Sequence, residues 1–237
     1  MVALTMFRDD VISPSIEALD AKIEILRNSE HEVEQTFAAE SYGDLRQSTI
    51  EGFLLTTQSI HERGLRELML GMAGRKGWSK TKVSEIRTAP WSSDKRPSLQ
   101  IIFEALFDAP IAWFGLHDDL SFLNLLCNAL RHGDGSSAEQ LHGIAPSLWM
   151  NWLPPGTKIG NLYTVPEDAP RHPALNTITL PRCVLDQMMM AVFAFWEDIE
   201  FVRCNSFSRR HSSAELHMDE LRIKRSMRDE SRVWSPA

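Results

Sequence analysis

Apolar residues recur at helical intervals along most of this chain. From Ser15 to Phe37, Ile16, Leu19, Ile23, Leu26, Val33 and Phe37 follow at steps of three, four and seven, the period of an amphipathic helix, and the Ser13-Pro14 pair reads as its start. Acidic residues occupy its other face. A second helix is predicted from about Asp44 to Met72, with Phe53, Leu54, Thr57, His61, Leu65, Leu68 and Met72 along one side and Gly74 as its stop. Shorter helices are expected near Ser79 to Arg87 and Ser98 to Phe107. Beyond Pro110, which sits where a helix would begin, Trp113, Leu116, Leu120, Leu123, Cys127 and Leu130 alternate steps of three and four. After Pro181 the same alternation returns in Leu185, Met188, Val192, Phe195, Ile199 and Val202. Two seams of matching length predict two helices packed along each other as halves of one core.

Between the seams, residues 143–181 hold seven prolines together with Trp149, Trp152, Leu153 and Tyr163. This segment is expected to be an irregular crossover that wraps the bundle and fills gaps with its aromatics. Thr177 to Leu180 is the one strand candidate. The stretch from Arg209 to Ala237 mixes seven bases with five acids and few large apolar residues, so it is expected to lie outside the core as a charged tail. The fold class is therefore all-α. The predicted layout is an acidic N-terminal helix over residues 1–43 packed on the core, a helical domain over 44–207, and a tail over 208–237.

Composition narrows the function classes. The 237 residues, 43% hydrophobic and 24% charged, suit one large globular domain, and no stretch nears the roughly 20 apolar residues of a membrane span. The N-terminus, with Asp9 and Asp10 and no apolar core, does not read as a secretory signal, so a cytoplasmic protein without membrane contact is expected. Cys127, Cys183 and Cys204 are odd in number and lack CxxC spacing, which points to buried helix thiols rather than disulfides or a zinc site. The histidines show no metal-ligand spacing, and no phosphate-binding glycine loop occurs, so neither metal nor cofactor is expected.

The net charge of −7 argues against a wholly basic surface, but its distribution changes the picture. Residues 1–45 carry ten acids against three bases and account for the whole excess. Residues 75–96 carry seven bases against Glu85 and Asp94, with Trp78 and Trp91 interleaved. Arg75, Lys76, Trp78, Lys80, Lys82 and Arg87 are thus candidate contacts to nucleic acid, bases to phosphates and indole to a base. The competing reading is a solvated connector anchored by its tryptophans.

Candidate chemistry gathers at the end of the first seam helix. There His117, Ser121, Asn124, Asn128 and His132 form a polar stripe beside the seam, and Gly133 and Gly135 end the helix just after Arg131 and His132. Asp134 is a candidate to cap that turn or orient His132. The Asn128-Ala129-Leu130-Arg131-His132-Gly133-Asp134-Gly135 run, preceded by an earlier helix bearing Thr57, His61 and Glu62, resembles the HEPN superfamily. Ala191 to Ile199, followed by Asn205-Ser206-Phe207, adds to the likeness, which covers residues 44–135 with support at 180–207.

The resemblance implies an all-helical domain, commonly paired as a homodimer, that acts on RNA without a metal, often in defence or toxin systems. His132 would then be general acid or base, Arg131 the phosphate ligand, Asn128 an orienting hydrogen bond, and Glu62 or His61 a partner from the facing helix. This chain departs from the family motif at Cys127, which stands where an Arg is usual. Two outcomes stay open under the resemblance, an active endoribonuclease or a degenerate relative that binds RNA. The alternative is a non-enzymatic interaction protein that engages a protein partner through acidic residues 1–45.

Overall fold

A computed structural model describes residues 2–28, 32–209 and 211–236 of the chain. Glu30 and the side chains of Glu32, Val33 and Glu34, counted above in the first helix and its charge, lie outside what is described. The architecture is all-α. The N-terminal run comprises α1 (Val2–Met6), a π-helical turn over Phe7–Ile12 and α2 (Ser13–Arg27). α2 starts at Ser13 with Pro14 in its first turn, as the sequence predicts, and the helical path also continues back from it through the π turn. A proline at this position lacks an N–H and crowds the carbonyl four residues back, and the wider π turn accommodates that loss.

The predicted first helix also ends early, at Arg27, with Asn28 as its cap. The following helix, α3 (Glu32–Arg75), is 44 residues long, takes in Phe37 and the Ser41-Tyr42-Gly43 stretch that separates the two predicted helices, and spans about 66 Å at 1.5 Å per residue. Phe37 is exposed rather than part of an apolar face. Ile12, Ile16 and Ile23 are buried as α2 packs on α3, and the acidic face is partly spent on this docking: Asp20 pairs with Arg46 and Glu17 with Arg182.

Ser79 caps α4 (Lys80–Thr88) and Ser98 caps α5 (Leu99–Phe107), each side chain accepting from a backbone N–H in the first turn. The first seam helix starts later than expected. Ile111–Phe114 is a 3₁₀ turn ended by Gly115 at φ 70°, and α6 is His117–His132. Trp113 consequently leaves the seam and stands 68% exposed, while Leu120, Leu123 and Cys127 remain fully packed. Gly133 closes α6 at φ 73°, a left-handed conformation that favours glycine.

α7 (Ser136–Ile144), which the sequence reading did not name, leads from α6 to the crossover. Residues 143–181 then run largely without regular structure, as predicted, through 3₁₀ turns at Pro146–Trp149 and Leu175–Thr177 and a two-residue hairpin, β1 (Lys158–Ile159) antiparallel to β2 (Tyr163–Thr164). Thr177 to Leu180 is not a strand. Trp149 is buried, as expected, whereas Tyr163 and Leu153 face outward. The second seam helix, α8 (Arg182–Asn205), buries Leu185, Met188, Val192 and Phe195 against α3 and α6. Leu180 N–H donates to Gln47, Thr57 Oγ1 meets Met189 Sδ, and Gly64 faces Trp196, so α3 and α8 run in the same direction.

The C-terminal stretch is part of the core, correcting its assignment as an outlying tail. In α9 (Ser212–Ser226), Met218 and Leu221 are buried, and Trp234 packs on Phe122 with ring centroids 4.8 Å apart. Electrostatics explain the docking, because buried carboxylates need counterions. Asp198 on α8 receives both Nη atoms of Arg228 at 3.1 Å. Asp119, in the first turn of α6, accepts from Gln187 and from Arg232. Among the described residues, no helix is long and apolar enough to cross a membrane.

Candidate functional site

Two consecutive residues of α3 point into different places. Glu62 faces a cleft of about 620 Å³ bounded by α3, α4 and α6, and His61 turns inward. A row at helical spacing on α3, Gln58, Glu62 and Arg66, forms one wall. Gln58 Nε2 donates to Glu62 Oε2, and Arg66 donates to Glu62 Oε1 and to the carbonyls of Ile86 and Ala89, the open C-terminal end of α4. From the opposite wall, Arg131 Nη2 donates to Gln58 Oε1. Glu62 is thereby linked to Arg131 through Gln58, so the structure brings these two predicted site residues together.

Charge in the cleft is unbalanced. Arg63, Arg66, Arg87 and Arg131 line it against Glu62 and Glu67. Arg66 is committed to Glu62 and the two carbonyls, whereas Arg63 and Arg87 are exposed and make no ion pair among the described residues. Arg87 also lines a shallow hollow of about 390 Å³ with Trp78 and Lys80, where Lys82 lies 5.3 Å above the Trp78 ring. Trp78, Lys80, Lys82 and Arg87 therefore sit beside the cleft. Arg75 and Lys76 do not join them: Lys76 pairs with Asp108 at 3.0 Å, and Arg75 lines a different groove across α3.

The residues named for proton transfer are not assembled. His132 follows Arg131 in sequence, yet it is exposed and does not line the cleft, because one residue along a helix turns the side chain by about 100°. Asn128 donates to Asn124 one turn back at 3.1 Å. Asp134 accepts from the Leu175 backbone N–H at 2.6 Å and so ties the crossover to the end of α6. Ser121 in the same stripe accepts from Trp91 Nε1 at 3.2 Å.

His61 is only 3% exposed and stands among Phe195, Trp196 and Trp91, with ring centroids at 5.0, 6.0 and 6.1 Å. Neither ring nitrogen has a hydrogen-bond partner among the described residues. Burial disfavours the imidazolium and pulls its pKa down to about 4, against a weaker opposing effect of Glu62. A neutral, enclosed ring of this kind packs; it does not reach a substrate in the cleft. Gly64, one turn on, is required by the same cluster, since a Cβ there would lie 2.9 Å from the Trp196 ring.

Cys127 is fully buried, and burial pushes its thiol up to about 12 although Arg131 pulls the other way. It is a neutral core side chain and offers nothing to a phosphate. All three cysteines are free, with Cys127 and Cys204 buried and Cys183 half-buried in the first turn of α8. Among the described residues, no group of three or more His, Cys, Asp or Glu side chains is placed to hold a metal ion.

Arg63, Arg66 and Gln58 were not among the sequence candidates. Their signal was present in the row of four-residue steps on α3, but nothing local says which face of a 44-residue helix meets Arg131. No family model, no curated protein and no solved structure matches the chain.

Proposed function

We propose that this chain binds single-stranded RNA through the arginine cleft and does not cleave it, the degenerate outcome of the HEPN-like reading. The observation that supports it is the pairing state of the cleft. Arg131 is held in place by Gln58, Arg63 and Arg87 keep their charges available, and Arg87 continues the cationic surface to the Trp78 and Lys80 hollow. Guanidinium groups suit the bidentate contact to phosphate oxygens, and an indole beside them offers a stacking face that tolerates any base. A fixed arginine also loses less side-chain freedom on binding.

Cleavage without a metal needs an acid and a base near the same phosphate. The two histidines that the HEPN-like reading places there are a neutral core ring, His61, and an exposed side chain outside the cleft, His132. Neither lines the cleft that Arg131 lines.

The test is fluorescence anisotropy of a labelled single-stranded RNA with wild type, Arg87→Gln, Arg131→Gln and His132→Ala, with gel analysis of the RNA afterwards. The expected result is binding weakened by either arginine substitution, unchanged by His132→Ala, with RNA intact throughout. Cleavage that disappears in His132→Ala would show an active nuclease instead, and failure of wild type to bind any RNA would remove the reading altogether.

A further inference from the structure

Across α3 from the arginine cleft lies a second concavity, a groove of about 670 Å³, within the range of roughly 300–1,000 Å³ typical of small-molecule sites. Leu68 and Met72 of α3, Phe103 and Phe107 of α5, and Ile199 and Val202 of α8 give it an apolar lining. The Phe103 and Phe107 rings stack with centroids 4.4 Å apart. Trp113, displaced from the helical seam, forms part of the wall, and its backbone is held there by Arg225, whose Nη2 donates to the Trp113 carbonyl at 3.1 Å. Trp113 and Val202 are 68% and 48% exposed, so an apolar surface faces water along the groove.

The groove has a notch and a polarity. Gly71 lines it about one turn before the end of α3, where a Cβ would meet nothing within 4 Å, so the absent side chain leaves open space rather than relieving a clash. Glu67, Gly71 and Arg75 follow at steps of four on α3, which sets Glu67 and Arg75 about 12 Å apart along the groove. The parallel course of α3 and α8 fixes what accompanies each end. With Gly64 against Trp196, Arg75 lies level with the end of α8, where Arg203 and Ser206 also line the groove. Arg203 is paired with Glu200 and Arg225 shares Asp198, but Arg75 makes no ion pair among the described residues. One end of an apolar channel therefore presents a free guanidinium, and the other a carboxylate.

We infer that this groove binds a free aliphatic carboxylate, a medium- or long-chain fatty acid, with its carboxylate at Arg75 and its chain running past Gly71 toward Glu67. A cationic head is disfavoured at the Arg75 end, and a second anionic group is disfavoured at the Glu67 end, so a single negative head with one apolar tail is the complementary shape. The groove shares Glu67 with the arginine cleft, but Arg75 and the apolar lining lie outside that cleft, so the inference does not depend on the RNA reading.

The experiment titrates the full chain with dodecanoate, dodecanol and dodecyltrimethylammonium, each below its micellar concentration, following heat and tryptophan fluorescence. The expected result is saturable one-to-one binding of dodecanoate, with dodecanol and the ammonium amphiphile weaker by about tenfold or more, the value of one charge-assisted contact. Arg75→Gln brings dodecanoate to the affinity of dodecanol. Gly71→Leu fills the notch and abolishes binding while the melting temperature holds or rises, because leucine is the better helix former. Trp113→Phe removes the fluorescence response but not the heat. No saturation with dodecanoate, equal affinity for all three heads, an Arg75→Gln variant with unaltered head preference, or a Gly71→Leu variant that binds like wild type would each overturn the inference. A Gly71→Leu variant that shifts from dimer to monomer, with no dodecanoate bound by wild type, would assign the groove to a second copy instead.

Discussion

The environments of His61 and Glu62 are opposites, although the two residues are neighbours on α3. His61 enters a cage of aromatic rings, loses its charge and has no polar partner among the described residues, whereas Glu62 enters an open cleft and joins a chain of hydrogen bonds ending at Arg131. On the proposed reading, the cage serves stability and the cleft serves recognition. Substitutions in the first should move folding and leave binding alone, and substitutions in the second should do the reverse.

The largest effect expected from this contrast is in the cage. Phe195 is fully buried and touches the His61, Phe114 and Trp196 rings, so Phe195→Ala should cost about 3–5 kcal/mol of stability in denaturant unfolding. The folded fraction should still bind RNA as wild type does.

Next in size is a pH effect. With the His61 pKa near 4 in the folded protein and about 6.5 when unfolded, the unfolded chain takes up the proton first as pH falls. Stability is unaffected by this group above the unfolded value. It declines through the window from about pH 6.5 to 4, by about 3 kcal/mol in all, and levels below the folded value. Urea unfolding of wild type and His61→Leu at pH 7 and pH 4.5 checks this, since the variant should lose that component of the slope and be more stable at both values. Equal slopes would mean that His61 finds a partner the structure does not give it.

In the cleft the effects are smaller and fall on binding. Arg131→Gln should weaken RNA about tenfold, near 1.4 kcal/mol, with unfolding free energy changed by less than about 1 kcal/mol. His132→Ala, one residue on, should alter both by less than about 0.5 kcal/mol, because an exposed side chain outside the cleft contributes little. If His132→Ala proves the more damaging of the pair, the division between cage and cleft has been drawn in the wrong place.

Sequence patterning carried the all-α class because the two seams are local: Leu120, Leu123 and Cys127 on α6, and Leu185, Met188, Val192 and Phe195 on α8, sit on helices buried along one stripe. Ser79, Ser98 and Gly133 marked helix ends through chemistry confined to a single turn. What escaped was long-range. The C-terminal segment looks like a tail until Asp119 and Asp198 are known to be buried, and their arginines lie 113 and 30 residues away. Residues 38–43 read as a boundary, yet α3 continues through them, since propensity at a few exposed positions is weak against the helix on either side.

The candidate site was legible to a comparable degree. Arg131, Glu62 and Arg87 were named from motif and charge, and all three line one cleft. His61 shares the inner face of α3 with Leu65 and Leu54, and periodicity puts an imidazole there without saying whether a donor or an aromatic ring will face it. Arg63 and Arg66 were hidden among the many charges of a long helix.

The most direct test of the account is the salt dependence of RNA affinity. Each phosphate contact to a single strand contributes about 0.7 to the slope of log affinity against log salt. For the triple variant Arg63→Gln, Arg87→Gln and Arg131→Gln, the account predicts a slope shallower than wild type by about 2, together with weaker binding at every salt concentration. A triple variant with the wild-type slope and affinity would contradict it, and would place any RNA contact on another face of the molecule.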